Sequence, residues 1–130
     1  MDPVINYCSV CGAPTSQRIP DGDALNRAVC NVCGVIHYQN PKLVVGSLPV
    51  WEDKVLLCRR AIEPRHGMWT LPAGFMEKNE TMPEAAMRET LEEACAQIKL
   101  GDLFTLISVP HISQVHAIYH ARLLDLNFAA

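Results

Sequence analysis

The sequence has no basic surplus, no long apolar run and few aromatic rings. Its 11 lysines and arginines are outnumbered by 14 aspartates and glutamates, for a net charge of −3. Binding a phosphate backbone needs clustered basic charge, so this balance argues against a general nucleic-acid partner. No stretch approaches the ~20 apolar residues of a membrane-spanning helix. The opening MDPVINYCSVCG has neither the basic nor the apolar region of a secretory signal. The expectation is a cytoplasmic protein with no membrane partner. With 49% hydrophobic and 19% charged residues, the chain also lies outside the disordered class. A chain of 130 residues buries roughly two-thirds of its unfolded surface, enough for one domain, or one domain plus a small module.

Cysteine is present in unusual measure, with six residues. Four form two tight pairs, Cys8/Cys11 and Cys30/Cys33, and each pair is followed by a glycine, Gly12 and Gly34. Eighteen residues separate Cys11 from Cys30, and they include Pro14, Pro20 and Gly22 without a sustained apolar period. Such a segment builds no core alone. Two C-x2-C pairs at this separation instead predict a tetrahedral Zn²⁺ site closed by four thiolates, which is structural because no position stays open for water. Two disulfides or four reduced thiols are the competing reading. Arg18 and Arg27 are the only cations of this module, against Asp2, Asp21 and Asp23, so it is poorly suited to grip nucleic acid.

Two domains are expected, residues 1–37 and residues 38–130, with Asn40-Pro41 as a turn signal near the boundary. Residues 43–50 read as a buried strand whose Gly46 and Pro49 limit its pairing. Glu52-Asp53 then predicts a hairpin into residues 54–59. Residues 63–67 form a loop and residues 68–71 a short strand. Thr81 as cap, Glu84 three residues on and Pro83 in the first turn predict a helix over residues 81–97. Strands over 103–109 and 114–124 follow, making an α+β chain.

Within the helix, Glu89, Glu92 and Glu93 fall at i, i+3 and i+4, gathering three carboxylates on one side. Met87, Leu91, Ala94 and Ile98 read as the opposite, core-facing stripe. Like charges at these spacings oppose the helix by a few tenths of a kcal/mol per pair, and a hard divalent cation would offset that. A solvated acidic face is the plainer alternative.

Gly74, five residues, Glu80, seven residues, then Arg88-Glu89-Thr90-Leu91-Glu92-Glu93 resembles the Nudix box, G-x5-E-x7-R-E-U-x-E-E-x-G-U. Every charged position and the leading glycine match. Thr90 stands where a bulky aliphatic residue is usual. Cys95 stands where the box has glycine, which raises the expectation of a shifted helix end but removes no metal ligand. The resemblance implies an α/β/α sandwich with a mixed sheet and Mg²⁺ or Mn²⁺ chemistry on a nucleoside diphosphate linked to another group. Carried over by position, Glu89, Glu92 and Glu93 would bind the metal with a backbone carbonyl at Ala73 or Gly74. Arg88 would pair with an acid of the box, Glu80, and Glu80, Glu92 or Glu93 would act as base. A zinc ribbon before such a box resembles both the NADH pyrophosphatases and a group associated with FAD and ADP-ribose hydrolysis, and residues 37–42, 71–77 and 110–114 resemble the second group more. Ser108 to Val115 lacks the tryptophan of the S-Q-P-W-P-F-P motif carried by NADH pyrophosphatases.

The expected function is hydrolysis of a dinucleotide or nucleotide-sugar pyrophosphate. NADH pyrophosphatase-like activity, or nucleotide sensing without turnover, are the alternatives. The resemblance further implies a strand and helix beyond Leu126, leaving a C-terminally short chain that exposes apolar surface and forms a homodimer. Among other residues, His37, His66, His111, His116 and His120 are weak candidates for a direct role, His111 the best placed. Trp69, Phe75 and Tyr38 are read as packing residues before stacking platforms. Arg59, Arg60 and Arg65 are read as solvated, and Cys58 as a small core residue.

Overall fold

A computed structural model of the chain describes residues 3–127. The chain divides into two compact units, Met1–Asn40 and Pro41–Ala130.

In the first unit, strands β1 (Thr15–Arg18), β2 (Arg27–Cys30) and β3 (Ile36–His37) form an antiparallel sheet with β2 in the middle. Its buried apolar residues are few and small: Cys8, Ala28, Val29 and Cys30. Gly12 and Gly34 adopt φ of 80° and 77°, the left-handed conformation that lets each cysteine pair fold back on itself. Around this frame, Arg27 bonds Asp23 at 3.1 Å and lies over the Tyr38 ring at 5.1 Å.

The second unit is built on β4 (Lys42–Trp51), which pairs in parallel with β10 (Gln114–Leu123) along nine residues. Antiparallel to β10 runs β9 (Ile98–Val109), while β5 (Lys54–Val55) and β8 (Ala73–Phe75) share the other edge of β4. The sheet is therefore mixed, with β4 at its centre. Pro49 does limit pairing on the β5 side: its carbonyl accepts the Leu56 amide at 2.9 Å, but it has no N–H to return. The hairpin strand accordingly stops at Val55. The chain resumes as a separate ribbon of β6 (Cys58–Arg59) and β7 (Trp69–Thr70). On the β8 side, Gly46 permits contact: a Cβ there would strike the Pro72 carbonyl oxygen and lie 2.5 Å from Ala73 Cβ.

Helix α1 (Met82–Ala94) is the one α-helix among the described residues. Its start follows the expected capping box. Thr81 Oγ1 accepts from the Glu84 amide at 3.2 Å, and the Glu84 carboxylate accepts from the Thr81 amide at 3.0 Å. This cap is worth about 1 kcal/mol. The end differs from expectation by three residues. Cys95 itself takes the αL conformation (φ 52°, ψ 27°) and donates its N–H to Leu91 O at 2.8 Å. The helix stops there, freeing Ile98 to begin β9 five residues earlier than the pattern suggests.

The buried face of α1 also differs. Met87 and Leu91 are about half exposed, whereas Ala85, Ala86, Glu89, Thr90 and Ala94 are buried. Alanines at Ala85 and Ala86 let the helix sit close on Val45, with Leu43, Met76, Met82, Leu100 and Tyr119 around them. Bulky Met87 and Leu91 would hold it away. A second cluster joins Ala94, Ala96, Ile98, Ala121 and Leu123 to Trp51, Leu56 and Cys58. On β9, Leu103, Phe104, Leu106 and Ile107 remain largely exposed.

Candidate active site and cysteine cluster

Between β8 and α1, residues 76–81 form a loop whose conformation is fixed by Glu80 and Arg88. Both Glu80 oxygens are engaged: Arg88 Nε donates at 3.0 Å and Arg88 Nη2 at 2.7 Å, while the Glu77 amide donates at 2.7 Å. The Arg88 guanidinium, then the Glu77 amide, hold the Glu80 carboxyl down at about 2. Arg88 spends its remaining N–H groups on Glu89 Oε1 at 2.7 Å, Glu92 Oε2 at 3.2 Å and the Phe75 carbonyl at 3.1 Å. Glu80 and then Glu89 hold it more firmly charged than a free arginine. All five donors of the guanidinium are thereby used inside the protein. The pair ties the loop to the helix and leaves neither partner free for substrate.

Glu89 is the buried carboxylate of the three, with only 7% of the residue exposed. Its head lies against Gly74: a Cβ on that glycine would meet the Glu89 carboxylate carbon and both oxygens closer than 3.0 Å. Glycine is thus required here for space. Burying a carboxylate is costly unless it is paired, and Arg88 supplies the pairing. This explains why the helix turns Glu89 inward and leaves Met87 and Leu91 outside. Glu92 and Glu93 are exposed on the next turn. With Arg88 Nη1 lying between Glu89 and Glu92, no three carboxylates among the described residues bring oxygens within 4.8 Å of one another.

The four cysteines of the first unit do converge. The sulfurs of Cys8, Cys11, Cys30 and Cys33 all lie within 4.8 Å of one another. Cys8 to Cys33 is 3.7 Å and Cys11 to Cys30 is 3.4 Å. A tetrahedron with Zn–S arms of ~2.3 Å has edges of ~3.8 Å, so the set fits such an ion. Backbone amides of Val10, Val32 and Cys33 point at Cys8 and Cys30 sulfurs over 3.3–3.4 Å. The Cys11 amide, with those of Val10 and the His37 side chain, lowers the Cys8 thiol to about 6. The Cys33 and Val32 amides lower Cys30 too. For Cys33, the Val35 amide lowers the thiol, but burial and the sulfurs of Cys30, Cys8 and Cys11 prevail and push it up to about 12. Thiols this close do not ionise together without a cation.

The remaining candidates take supporting places. His116 Nε2 lies 2.8 Å from Gln114 Oε1, and the His120 ring packs on Phe104 at 4.6 Å between centroids. His66 and His111 are exposed. Tyr38, Trp69 and Phe75 are 56%, 64% and 47% exposed, so none is a core residue, while Tyr38 packs under Arg27 and Phe75 under Lys42, whose Nζ lies 5.4 Å from the ring centroid. Short strands beside turns give those rings no second layer to enter. Arg59 and Arg60 are not simply solvated: each donates to its own loop, to Gly67 O at 3.2 Å and Pro64 O at 2.7 Å. Cys58 is half-buried, and burial, then the Glu93 charge, raises its thiol. The Phe75 carbonyl and Glu77 amide complete the site as backbone groups, which no residue pattern announces.

A mixed sheet with a glycine-led loop clasped to an acidic helix defines the Nudix fold. The chain belongs to the Nudix family: a family model described as NUDIX domain matches residues 40–124, and a zinc-ribbon model described as Nudix N-terminal matches residues 6–39. A solved Nudix hydrolase from Nitrosomonas europaea is 56% identical, with a TM-score of 0.91 over 95% of this chain and 70% of that one. An ADP-ribose pyrophosphatase of Methanocaldococcus jannaschii is 36% identical over 73 residues, 56% of this chain and 43% of that protein. An NAD-capped RNA hydrolase NudC of Photorhabdus laumondii is 32% identical over 106 residues, 80% of this chain and 38% of that protein. The chain therefore spans about two-fifths of the length of these curated relatives. Among the described residues no helix is long and apolar enough to cross a membrane.

Proposed function

We propose that this chain hydrolyses the pyrophosphate of a nucleoside diphosphate linked to another group, with ADP-ribose or FAD as substrate. The observation that carries this reading is the Glu89 carboxylate lodged in the space left by the missing Gly74 Cβ. A buried acid packed against a glycine, with two exposed acids one turn away, is a hard-oxygen donor set suited to Mg²⁺ or Mn²⁺. Glu89, Glu92, Glu93 and the Gly74 carbonyl would hold the ion. Once bound, it neutralises pyrophosphate charge and lowers the pKa of an attacking water.

The chain's own residues divide the remaining work. Arg88 and Glu80 are positioning residues that set the loop against the helix, and Arg88 gives the buried Glu89 carboxylate its ionic partner at 2.7 Å. Glu80, with both oxygens engaged and its carboxyl held at about 2, is ill-suited to take a proton. That role falls to Glu92 or Glu93, which are exposed to solvent. The four cysteines hold a structural Zn²⁺, and their spacing supports this.

A second substrate reading, an NADH-like or NAD-capped end, is favoured by the NudC relative, which matches over 106 residues against 73 for the ADP-ribose pyrophosphatase. Product analysis across ADP-ribose, FAD, NADH and diadenosine compounds with Mg²⁺ or Mn²⁺ decides. AMP released fastest from ADP-ribose or FAD is the expected outcome. A preference for NADH selects the second reading, and no release from any of them refutes both.

A further inference from the structure

We propose that Ser47 is a positioning residue for the carboxylate site, linking the Gly74 loop and the Glu89 helix to one point on β4. This rests on the reading of Gly74 and Glu89 as ion-holding groups. Ser47 and Thr90 are both fully buried, and their hydroxyl oxygens lie 2.6 Å apart. Thr90 Oγ1 also lies 2.7 Å from the Ala86 carbonyl, which can only accept. The single Thr90 proton goes to that carbonyl, so Ser47 donates to Thr90 Oγ1. The backbone amide of Ser47 separately donates to Pro72 O at 3.1 Å. Pro72 lies two residues before Gly74, and Thr90 directly follows Glu89.

One residue therefore grips both sides of the clasp, the loop by its amide and the helix by its hydroxyl. Beside it, Gly46 admits the loop at a distance no side chain would allow. The fit between Gly74 and Glu89 leaves no room for a Cβ, so a slide of a few tenths of an ångström between loop and helix alters it. An aliphatic residue at position 90 would fill volume without fixing that slide. The Thr90 hydroxyl spends its proton on the Ala86 carbonyl and offers its oxygen to Ser47. Ser47 is the group that depends on this pair, and the two positions act as a unit.

The test is a double-mutant cycle of S47A, T90V and S47A/T90V in the zinc-replete full chain. The readout is Mn²⁺ binding by calorimetry without substrate, at a temperature where circular dichroism shows each variant folded. S47A and T90V are each expected to weaken Mn²⁺ binding about fivefold, the equivalent of one buried hydrogen bond. The double variant should be no weaker than either single one. I98V, which thins the core beside Ala94 and Leu123, serves as a control for general loss of stability and should bind Mn²⁺ as the parent does. Wild-type Mn²⁺ affinity in S47A and T90V, whatever their melting temperatures, overturns the proposal, as does equal weakening by I98V. Failure of the underlying ion reading is visible separately: E89Q would then bind Mn²⁺ as tightly as the parent protein.

Discussion

Gly74 and Gly46 both stand where a Cβ would collide, but with different kinds of atom, and that difference predicts opposite phenotypes. At Gly46 the obstacles are the Pro72 carbonyl and the Ala73 Cα and Cβ, parts of the chain leading into β8. They cannot rotate aside, so G46A must force β4 and β8 apart. Overpacking of this sort costs about 3 kcal/mol. For a unit of this size that corresponds to a fall in Tm of roughly 12–24 °C.

At Gly74 the obstacle is the head of the Glu89 side chain, which can swing away and leave the backbone in place. G74A then loses mainly the Arg88–Glu89 hydrogen bond. With the Arg88 side chain 28% exposed, solvent screening keeps that loss to about 1 kcal/mol. The expected fall in Tm is only about 4–8 °C. Turnover should respond the other way. A carboxylate displaced by about 1 Å from its working position costs roughly 100-fold in rate, the equivalent of ~2.7 kcal/mol in the barrier. The assay is kcat/KM on ADP-ribose with Mn²⁺, run beside thermal melts of both variants. G74A should be folded and nearly inactive, and G46A markedly less stable. If G74A retains kcat/KM within about tenfold of the parent, or melts below G46A, the account of the clasp is wrong.

E92Q and E93Q should each reduce turnover by at least ~100-fold with Tm within ~2 °C of the parent, because both side chains are exposed and their loss opens no core; loss of the fold would make them structural. Carefully prepared protein should contain one zinc per chain, with C8S or C30S losing both the ion and the amide-exchange protection of β1–β3; less than about half an equivalent would refute the tetrathiolate site. Glu80 makes the acid limb of stability testable. Its folded carboxyl sits at about 2 against an ordinary 4.5, so its contribution is complete above ~pH 4.5 and is lost as the pH falls toward 2. E80Q should flatten the stability curve in that window and leave it parallel to the parent above pH 6; an unchanged acid limb would show that Arg88 does not stabilise Glu80.

Much of this arrangement was legible in the residues, because the features that specify it are local. Cysteine spacing marks a tetrahedral site, and the Thr81–Glu84 capping box marks a helix start within one residue. The pairing of Glu80 with Arg88 followed from a box resemblance. What was not legible depended on contacts distant in sequence. Periodicity offered Met87 and Leu91 as the core stripe, and no local signal could reveal that Gly74 leaves a space for Glu89. Nor could Gly46 and Pro49 in isolation distinguish a central strand from an edge. The parallel partner of β4 lies some seventy residues on, from Gln114 to Arg122, and pairing at that range leaves no trace in either segment read alone.

The two departures from the box fall at positions whose task is geometric, and the structure meets each by a different route. At position 95 the requirement is a backbone in αL, which glycine enters freely and cysteine enters against a steric cost of about 1 kcal/mol. Cys95 nevertheless adopts φ 52°, because the chain must reverse there for Ile98 to join β9 and bury itself with Ala94 and Leu123. Packing gained beyond the helix outweighs the local strain. At position 90 the requirement is a filled site under β4, and threonine meets it with its hydroxyl shared between the Ala86 carbonyl and Ser47. The carboxylates feel neither change as a shift in register. Their spacing is set from the other end of the helix, where Thr81 fixes the first turn and the Arg88–Glu80 bridge fixes the loop. Charge positions in this clasp are therefore constrained by chemistry, and the positions between them only by shape and satisfied hydrogen bonds.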